Sequence, residues 1–433
     1  MLNNKTTQPP QQSSDLTVRD AQASVLGRIT PVGSEEIPLQ QALGRVLAED
    51  IRANRDLPPY DISAMDGYAV RSADIVDAAA APKLLTVIED IRAGDMPRLA
   101  LQSGQCARIM TGAPVPAGAD TVVRVEDTQA RPGDQVAVLV PTPAATDIRV
   151  RGENMRQGDV VLAAGTEIQP GSVGVLATVK RATVKVYRKP RVAILSSGDE
   201  LEALSDPFNP DKIPDANSYT LMAQVQALGI TPACLGIARD DPDELAGYLR
   251  QGLEYDVLLV SGGTSVGVHD HVRPTLEKLG VSMHFWRVRM RPGHPVAFGS
   301  AGCAFVFCLP GNPVSSMVCF EQFVLPALRR LCGHQRLFRR MIPARLTRPV
   351  KSKPGRAEFL RATLACDLDG GYSATPAGAQ SSGDLLAMAH ADGLLVVPAA
   401  SKGLGSGETV PVQLLGASAY QDEPGLVEEG KEV

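Results

Sequence analysis

Between Arg191 and Leu331, short apolar segments alternate with segments of helical periodicity, and this alternation constrains the fold more than any other feature. The predicted strands are Val192–Leu195, Ala233–Ile237, Val257–Val260 and Cys303–Leu309. The predicted helices are Ser218–Leu228, Pro242–Leu253, Arg273–Leu279 and Val314–Leu331. Strands that alternate with helices form parallel βαβ units, and their sheet is buried on both faces. We therefore predict a doubly wound α/β domain whose ligands bind beyond the carboxyl ends of the strands.

The segments on either side of this domain carry short β-type runs separated by Gly and Pro turns. Upstream, strands are predicted at Leu84–Val87, Thr121–Val125 and Val136–Val140. Downstream, they are predicted at Ala344–Leu346, Glu358–Leu364, Leu394–Val397 and Val410–Leu415. A chain of 433 residues also exceeds the size of one hydrophobic core. We expect an α/β multidomain protein with a small β-rich domain at 51–150, the α/β domain at 189–338 and a C-terminal β-barrel-like domain at 339–418.

Two remaining segments have a mixed character. Leu16–Gly27 shows helical spacing, and Ser14 or Asp15 stands where it would cap that helix. Residues 151–188 contain a predicted helix that begins at Pro170 and a predicted strand at Ala182–Tyr187. Periodicity alone does not decide whether these segments share one domain.

The composition excludes several classes of function. The net charge is -5 and aromatic residues make up 4% of the chain, so neither a basic field nor stacking platforms favour nucleic acid as a partner. No apolar run reaches the roughly 18 uncharged residues of a membrane span, and the polar first residues lack a signal-peptide core. The seven cysteines are odd in number and scattered, which is typical of reduced core residues. We expect a cytoplasmic protein without a membrane partner.

The loop after the first predicted strand of the α/β domain is polar and ends in two acids. Ser197 and Gly198 would offer a hydroxyl and backbone N–H groups to an anion. Asp199 and Glu200 would hold a hydrated Mg²⁺ ion. The same residues also fit the start of a helix, where acids complement the dipole, and this alternative stays open.

A glycine pair follows the predicted strand Val257–Val260. Gly262 and Gly263 let the backbone fold closely around an anion, and Thr264 and Ser265 add hydroxyl donors, which predicts a cradle for a phosphate or a pterin. A plain connecting turn is the alternative. Residues 263–267 also match the G-x-S-x-G motif of serine hydrolases. That motif requires the serine directly after the strand, with a distant acid and histidine, so the hydrolase hypothesis is disfavoured.

The triplet His269-Asp270-His271 has two interpretations. Alternate histidines would face one side of a strand and could bind zinc or iron, although no further ligand set is evident in the sequence. The triplet also fits an exposed loop in which Asp270 caps the next helix.

Three arginines and two prolines complete the candidate residues. Arg287, Arg289 and Arg291 alternate before His294, so in an extended segment they would share one face and form an oxyanion or phosphate site. A solvated edge strand is the equal alternative. Pro310 and Pro313 flank Gly311-Asn312 and fix the loop in one shape, which predicts a ligand wall.

Five segments, in this order, resemble the molybdopterin molybdenumtransferase family, the MoeA-type proteins and the E domain of gephyrin. They are Pro58–Val70 with its Asp61-Ile62-Ser63-Ala64-Met65-Asp66-Gly67-Tyr68-Ala69 run, Met110–Pro114, Ser197–Leu201, Ser261–Gly267 and Leu309–Ser315. The resemblance covers Leu16–Leu415. It implies that 15–50 and 151–188 form one discontinuous N-terminal domain. It also implies a homodimer. The reaction would convert adenylylated molybdopterin and molybdate to molybdenum cofactor and AMP, with Mg²⁺. Whether the protein also contacts other molybdenum-cofactor proteins is left open.

The resemblance also implies roles for individual residues. The acids for metal binding or phosphoanhydride activation would be Asp66, Glu200, Asp240 and Asp270. Thr111 would lie beside Asp66, and Asp66 and Thr111 would face the α/β domain of the other subunit. Pterin or phosphate contacts would come from Ser197, Gly198, Gly262, Gly263, Thr264 and Ser265. The molybdate side would be formed by Arg287, Arg291 and His294, the wall by Pro310 and Pro313, and Ser382 would approach from the last domain.

The chain departs from the family pattern at several positions. Relatives often have lysine where this chain has Arg287, Arg291 and His294, an acid at Val268 and aspartate at Asn154. These departures leave open a preference for tungstate and a specialised paralogue. A non-catalytic scaffold that binds molybdopterin is the alternative function, which the acids in the crevice loops disfavour.

Overall fold

The computed structural model of the protein describes residues 15–263, 271–366 and 370–416. The chain folds into two compact units. The N-terminal unit comprises residues 36–43 and 47–185, and the C-terminal unit comprises the described residues up to 35, residues 44–46 and the described residues from 186 onward. None of the helices in these ranges is long and apolar enough to cross a membrane. The finer division into four domains stays a prediction.

Helices and short strands make up the regular elements besides the strands described below. The α-helices are α1 (Val18–Leu26), α2 (Pro170–Thr178), α3 (Ala216–Gln226), α4 (Pro242–Gly252), α5 (Val272–Lys278), α6 (Pro313–Cys319), α7 (Leu325–Leu331) and α8 (Leu385–Ala389). Short strands lie at Ser34–Pro38, Ile51–Arg52, Ile62–Ser63, Ile148–Arg149, Val160–Leu162, Thr183–Tyr187, Leu201–Glu202, Ile213–Pro214, Met290–Arg291, Val350–Lys351 and Gly403–Leu404. One short strand, Met290–Arg291, belongs to the third main sheet, where it pairs parallel with the start of strand Ala357–Cys366.

A six-stranded sheet forms the centre of the N-terminal unit. Its strands are β1 (Gly67–Val70), β2 (Lys83–Ile91), β3 (Gln105–Ile109), β4 (Thr121–Arg124), β5 (Thr128–Arg131) and β6 (Gln135–Val138), in the order β4-β1-β3-β2-β6-β5. Successive residues of a strand face opposite sides, so the sheet has a core on each face: Val70 and Val136 belong to one, Ile109 and Val122 to the other. The β-rich domain predicted from the sequence is thus present.

The second sheet lies in the C-terminal unit and confirms the doubly wound α/β prediction. Its strands are β7 (Val192–Ser197), β8 (Ala233–Ala238), β9 (Val257–Ser261), β10 (Ser282–Phe285), β11 (Ala297–Ala301) and β12 (Ala304–Leu309), in the order β8-β7-β9-β12-β11-β10. The first four strands of this spatial order, β8, β7, β9 and β12, run parallel to one another. Side chains of α3 and α6 cover one face, and those of α4 and α5 cover the other.

Two strands of this sheet differ from the prediction. β11 pairs antiparallel with β12, and β10 pairs antiparallel with β11. The edge strand β10 buries only Phe285 fully, so it lacks the continuous apolar run that marks the parallel strands. The sequence therefore gave no signal for these additions.

The third sheet closes into a barrel, as predicted. Its strands are β13 (Met341–Leu346), β14 (Ala357–Cys366), β15 (Tyr372–Pro376), β16 (Gly393–Val397) and β17 (Thr409–Leu414). The order is β14-β15-β13-β17-β16, and β16 pairs back with β14. Leu346, Leu395 and Val412 fill the interior, where closure leaves no open edge among these strands.

The cap of α1 is a correction to the sequence prediction. Thr17 caps this helix, because its Oγ1 accepts a hydrogen bond from the Asp20 N–H at 3.1 Å. The expected Asp15 does not, since the backbone stays extended at Leu16, whose N–H donates to Arg287 O at 3.3 Å. The other predicted cap, Ser14, lies outside the described residues.

Candidate active site

The loops after β7 and β9 meet at the carboxyl edge of the α/β sheet. Gly262 has φ +93°, and a Cβ atom at this position would overlap the carbonyl oxygen of Ser197. The Gly262 N–H donates to Leu309 O, at the end of β12, at 3.1 Å. Because β7, β9 and β12 are neighbours, their loops form one crevice, which is where ligands bind in sheets of this type.

Two glycine N–H groups of this crevice are paired within the protein. The Gly198 N–H donates to Ala238 O at 3.2 Å, and the Gly262 N–H has its partner in Leu309. At Gly262 the absence of a side chain serves the close approach of two loops instead. Of the predicted hydroxyls, Ser197 is buried at the end of β7, while Thr264 and Ser265 lie outside the described residues.

Two acids lie on neighbouring loops of the same crevice. The Asp240 N–H donates to Asp199 Oδ1 at 3.2 Å, which ties the loop after β8 to the one that carries Glu200. Both Glu200 and Asp240 are exposed. Asp270 lies outside the described residues. Within the described ranges no three His, Cys, Asp or Glu side chains cluster as a ready ligand set.

A cleft of about 650 Å³ lies between the sheet and the barrel strands of the C-terminal unit. It brings together Arg291, His294 and Ser382, three of the predicted site residues. Further polar and charged lining comes from Ser315, Lys351, Arg356 and Glu358. Arg287, although predicted with this group, is not among the lining residues. Cationic side chains outnumber the acid here, which suits an oxyanion in a protein of net charge -5.

Hydrogen bonds orient the cations of this cleft. Arg291 Nη1 lies 3.5 Å from the carboxylate of the buried Glu358. The His294 Nδ1 lies 2.8 Å from Val288 O, which accepts only, so Nδ1 carries the proton. The other ring nitrogen lies 3.5 Å from Asp15 Oδ2. His294 is thereby held in one orientation between two backbone segments.

Arg361 is a residue that the sequence analysis missed. It is the largest fully buried side chain among the described residues, and its Nη2 donates to Ser381 O at 3.0 Å. Its Nε and Nη1 are buried without a hydrogen-bond partner. Burial lowers the pKa of this guanidinium, an effect that the nearby Asp384 opposes. An arginine flanked by apolar residues on both sides, in the run Phe359-Leu360-Arg361-Ala362, is a signal that could have identified it.

The crevice and the cleft share an element. The Val314 N–H, in the first turn of α6, donates to Ser382 O at 3.1 Å, and Ser315 lines the cleft. The loop from Pro310 to Pro313 leads directly into this turn. The wall of the crevice and one side of the cleft are therefore consecutive parts of the chain.

In the N-terminal unit, Asp66 and Thr111 form a separate pocket of about 400 Å³ with Met65, Arg124, Glu126 and Asp127. Asp66 Oδ1 accepts two hydrogen bonds from Thr111, from the N–H and from Oγ1, each 2.7 Å long. Both hydrogen bonds lower the pKa of Asp66, and the one from the N–H has the larger effect. Asp66 is therefore a carboxylate at neutral pH.

The doubly wound domain carries acids at its carboxyl edge and is joined to a cationic cleft. Family models match in three places: the MoeA N-terminal region (domain I and II) at 16–179, a probable molybdopterin binding domain at 193–330 and the MoeA C-terminal region (domain IV) at 343–415. The chain belongs to the molybdopterin molybdenumtransferase family, enzymes of molybdenum cofactor biosynthesis.

Relatives of this family align along nearly the whole chain. The molybdopterin molybdenumtransferase of Nostoc sp. is 35% identical over 92% of this chain and 93% of its own. That of Staphylococcus aureus is 32% identical over 95% and 99%. A crystal structure of the molybdopterin biosynthesis moeA protein from Pyrococcus horikoshii OT3 superposes with a TM-score of 0.81, at 31% identity, over 93% of this chain and all of that one.

Proposed function

We propose that this protein transfers molybdate to adenylylated molybdopterin and releases AMP. The observation that carries the proposal is the contact between Val314 and Ser382, because it joins the predicted pterin crevice to the cationic cleft. A metal-insertion reaction requires the dithiolene substrate and the oxyanion side by side. Holding two reactants next to each other converts a bimolecular step into an effectively unimolecular one.

In this proposal the cleft binds molybdate. Arg291, His294 and the hydroxyls of Ser315 and Ser382 face the dianion, and Arg361 adds positive charge behind Ser381. The buried Glu358 fixes Arg291 but repels an anion, so the molybdate lies away from this acid. Arg287 keeps its predicted role as a proposal only, since it does not line the cleft.

The acids and loops of the crevice bind the adenylylated substrate. Ser197, Gly198, Gly262 and Gly263, with Thr264 and Ser265, surround the pterin and its phosphates, and Pro310 and Pro313 form the wall. Exposed carboxylates such as Glu200 and Asp240 fit Mg²⁺, which is usually held by one or two carboxylates together with substrate phosphates. Asp270 and, from the other subunit, Asp66 stay proposed ligands of the same ion, which would neutralise charge on the phosphoanhydride.

The test is a single-turnover assay with purified protein, adenylylated molybdopterin and molybdate. We expect AMP release that requires molybdate, and a reduction of at least about tenfold in Arg291→Gln, because a charged hydrogen-bond donor to the oxyanion is lost. Arg345→Gln is the matched control, since Arg345 is exposed on the neighbouring barrel strand β13. AMP release independent of molybdate, or no release at all, would contradict the proposal.

We further propose that the protein acts in the cytoplasm as a homodimer in which Asp66 of one subunit serves the crevice of the other. The ionised state of Asp66 supports its use as a metal-binding or activating acid. Mixing inactive Asp66→Asn and Glu200→Gln proteins should then restore up to about a quarter of wild-type activity, because about half of the dimers become heterodimers and each of these has one intact site of two. Absence of recovery after subunit exchange is verified would contradict the shared site.

A further inference from the structure

The first turn of α3 is anchored to the end of β7 by a buried polar network. Asp215 Oδ1 accepts hydrogen bonds from the Ser218 N–H at 3.1 Å and from Ser196 Oγ at 2.9 Å. Its Oδ2 accepts one from Ser218 Oγ at 2.6 Å. All three residues are buried, and buried networks whose members are paired hold a unique geometry. This turn is therefore a fixed point beside the crevice.

Asn217 extends from this fixed turn and contacts two loops at once. Its Nδ2 donates to Ser261 Oγ at 2.8 Å and to Gly311 O at 2.7 Å. Because a carbonyl oxygen only accepts, the contact with Gly311 determines which end of the amide is nitrogen. Both N–H bonds of the amide are used, one for each loop.

The loops that Asn217 joins are the two sides of the predicted pterin site. Ser261 precedes the glycine pair at 262–263, and Gly311 lies between Pro310 and Pro313 in the wall. We infer that Asn217 is a positioning residue: its amide fixes the separation between the glycine loop and the proline wall, and hence the width of the molybdopterin site. This inference rests on the proposed function of the crevice.

Asparagine suits this role better than its closest analogues. Aspartate has the same shape but no N–H, so an oxygen would face Gly311 O and repel it. Glutamine keeps the two donors on a side chain that is one methylene longer. The pair of variants therefore separates loss of the donors from a change of length.

The experiment compares Asn217→Asp and Asn217→Gln with Gln226→Glu, a matched amide-to-acid change at the exposed end of α3. In the full-length protein we expect Asn217→Asp to raise KM for adenylylated molybdopterin at least about tenfold, since loosened groups lose their productive positions. KM for molybdate should change less than about twofold, because the cleft keeps its own contacts. Asn217→Gln should recover part of the loss, and Gln226→Glu should match the wild type.

A measurement without substrate separates this inference from the proposed function. Hydrogen exchange of the Gly262 amide, which donates to Leu309 O, should accelerate at least about fivefold in Asn217→Asp and remain unchanged in Gln226→Glu. Equal exchange in all variants, or an equal rise of both KM values, would overturn the positioning role. If the wild type releases no AMP, the proposed function fails, and the exchange result alone decides whether Asn217 holds the loops.

Discussion

In the Asp66 pocket one neighbour supplies the hydrogen bonds of an exposed carboxylate, whereas beside the cationic cleft a buried guanidinium is left with two N–H-bearing atoms unpaired. Thr111 alone supplies both hydrogen bonds to Asp66 Oδ1. Arg361 contacts the Gln380–Ser381 turn, and its Nε and Nη1 are buried without a hydrogen-bond partner. Both contacts are tertiary, since Thr111 lies 45 residues from Asp66 and Ser381 lies 20 residues from Arg361. The sites differ in that the first is an exposed, hydrogen-bonded charge and the second is a buried, under-paired one.

This difference determines what each site tolerates. A solvated carboxylate keeps its function as long as its one neighbour remains, and its surroundings contribute little to stability. A buried charge with unpaired N–H groups is unfavourable for folding, so a function that uses the charge is the physical reason to retain it. A substitution that removes the buried charge of Arg361 should therefore weaken molybdate binding while leaving the stability of the fold equal or higher.

The largest effect is expected for Arg361→Met, which keeps an unbranched side chain of similar volume and removes its charge. Molybdate affinity should fall by about a hundredfold, because two charged donors behind the site are lost. Stability should stay equal or rise, since an apolar side chain of similar volume replaces an under-paired buried ion. Calorimetric titration with molybdate and urea denaturation measure the two quantities.

Arg345→Met is the control, because that arginine lies on the exposed face of β13 and should affect neither quantity. A strongly destabilised Arg361→Met with unchanged molybdate affinity would show that Arg361 is structural. The contrast between the two sites would then disappear.

The features that the sequence predicted best are those marked by an apolar run or by a short motif. The apolar runs at Val192 and Val257 predict buried parallel strands, and the short motif around Asp66 predicts an acid beside a turn. Arg361 and Asn217 lie in none of the motifs, and their contacts with Ser381 and Gly311 are formed only by the fold. Thr111, 45 residues from Asp66, was placed beside it by the family resemblance and not by spacing. Residue type and spacing carry no record of such contacts.

A pair of glycine substitutions tests the same contrast through stability. Gly262 and Gly112 both have positive φ, +93° and +83°, but only a Cβ at Gly262 would meet backbone, whereas nothing lies within 4 Å at Gly112. We expect Gly112→Ala to lower the free energy of unfolding by about 1 kcal/mol, the penalty of the backbone conformation. Gly262→Ala should lower it by about 3 kcal/mol, because a steric overlap with Ser197 is added.

Urea denaturation followed by far-ultraviolet circular dichroism measures both variants. Gly112 lies in the N-terminal unit and Gly262 in the other, so each value refers to the transition of its own unit. An equal decrease in the free energy of unfolding for Gly112→Ala and Gly262→Ala would mean that the loops after β7 and β9 separate easily. Such a crevice would not have the fixed shape on which the proposed pterin site depends.

The smallest effect concerns the pKa of Asp66, which Thr111 lowers through its N–H and then through its hydroxyl. Thr111→Val removes only the hydroxyl, so the pKa of Asp66 should rise toward the ordinary value while remaining below it. A lowered pKa in the folded state stabilises the protein above the ordinary aspartate pKa of about 3.9, and this contribution disappears as the pH falls through the folded-state value. The free energies of unfolding of wild type and variant should therefore differ near neutral pH and converge in acid.

Carboxyl-carbon NMR titration of Asp66 measures the change in its pKa. Thr128→Val is the control, because the Thr128 hydroxyl donates to Val125 O instead. Identical titration midpoints for Asp66 in wild type and Thr111→Val would mean that the surroundings, and not one neighbour, set the state of this acid.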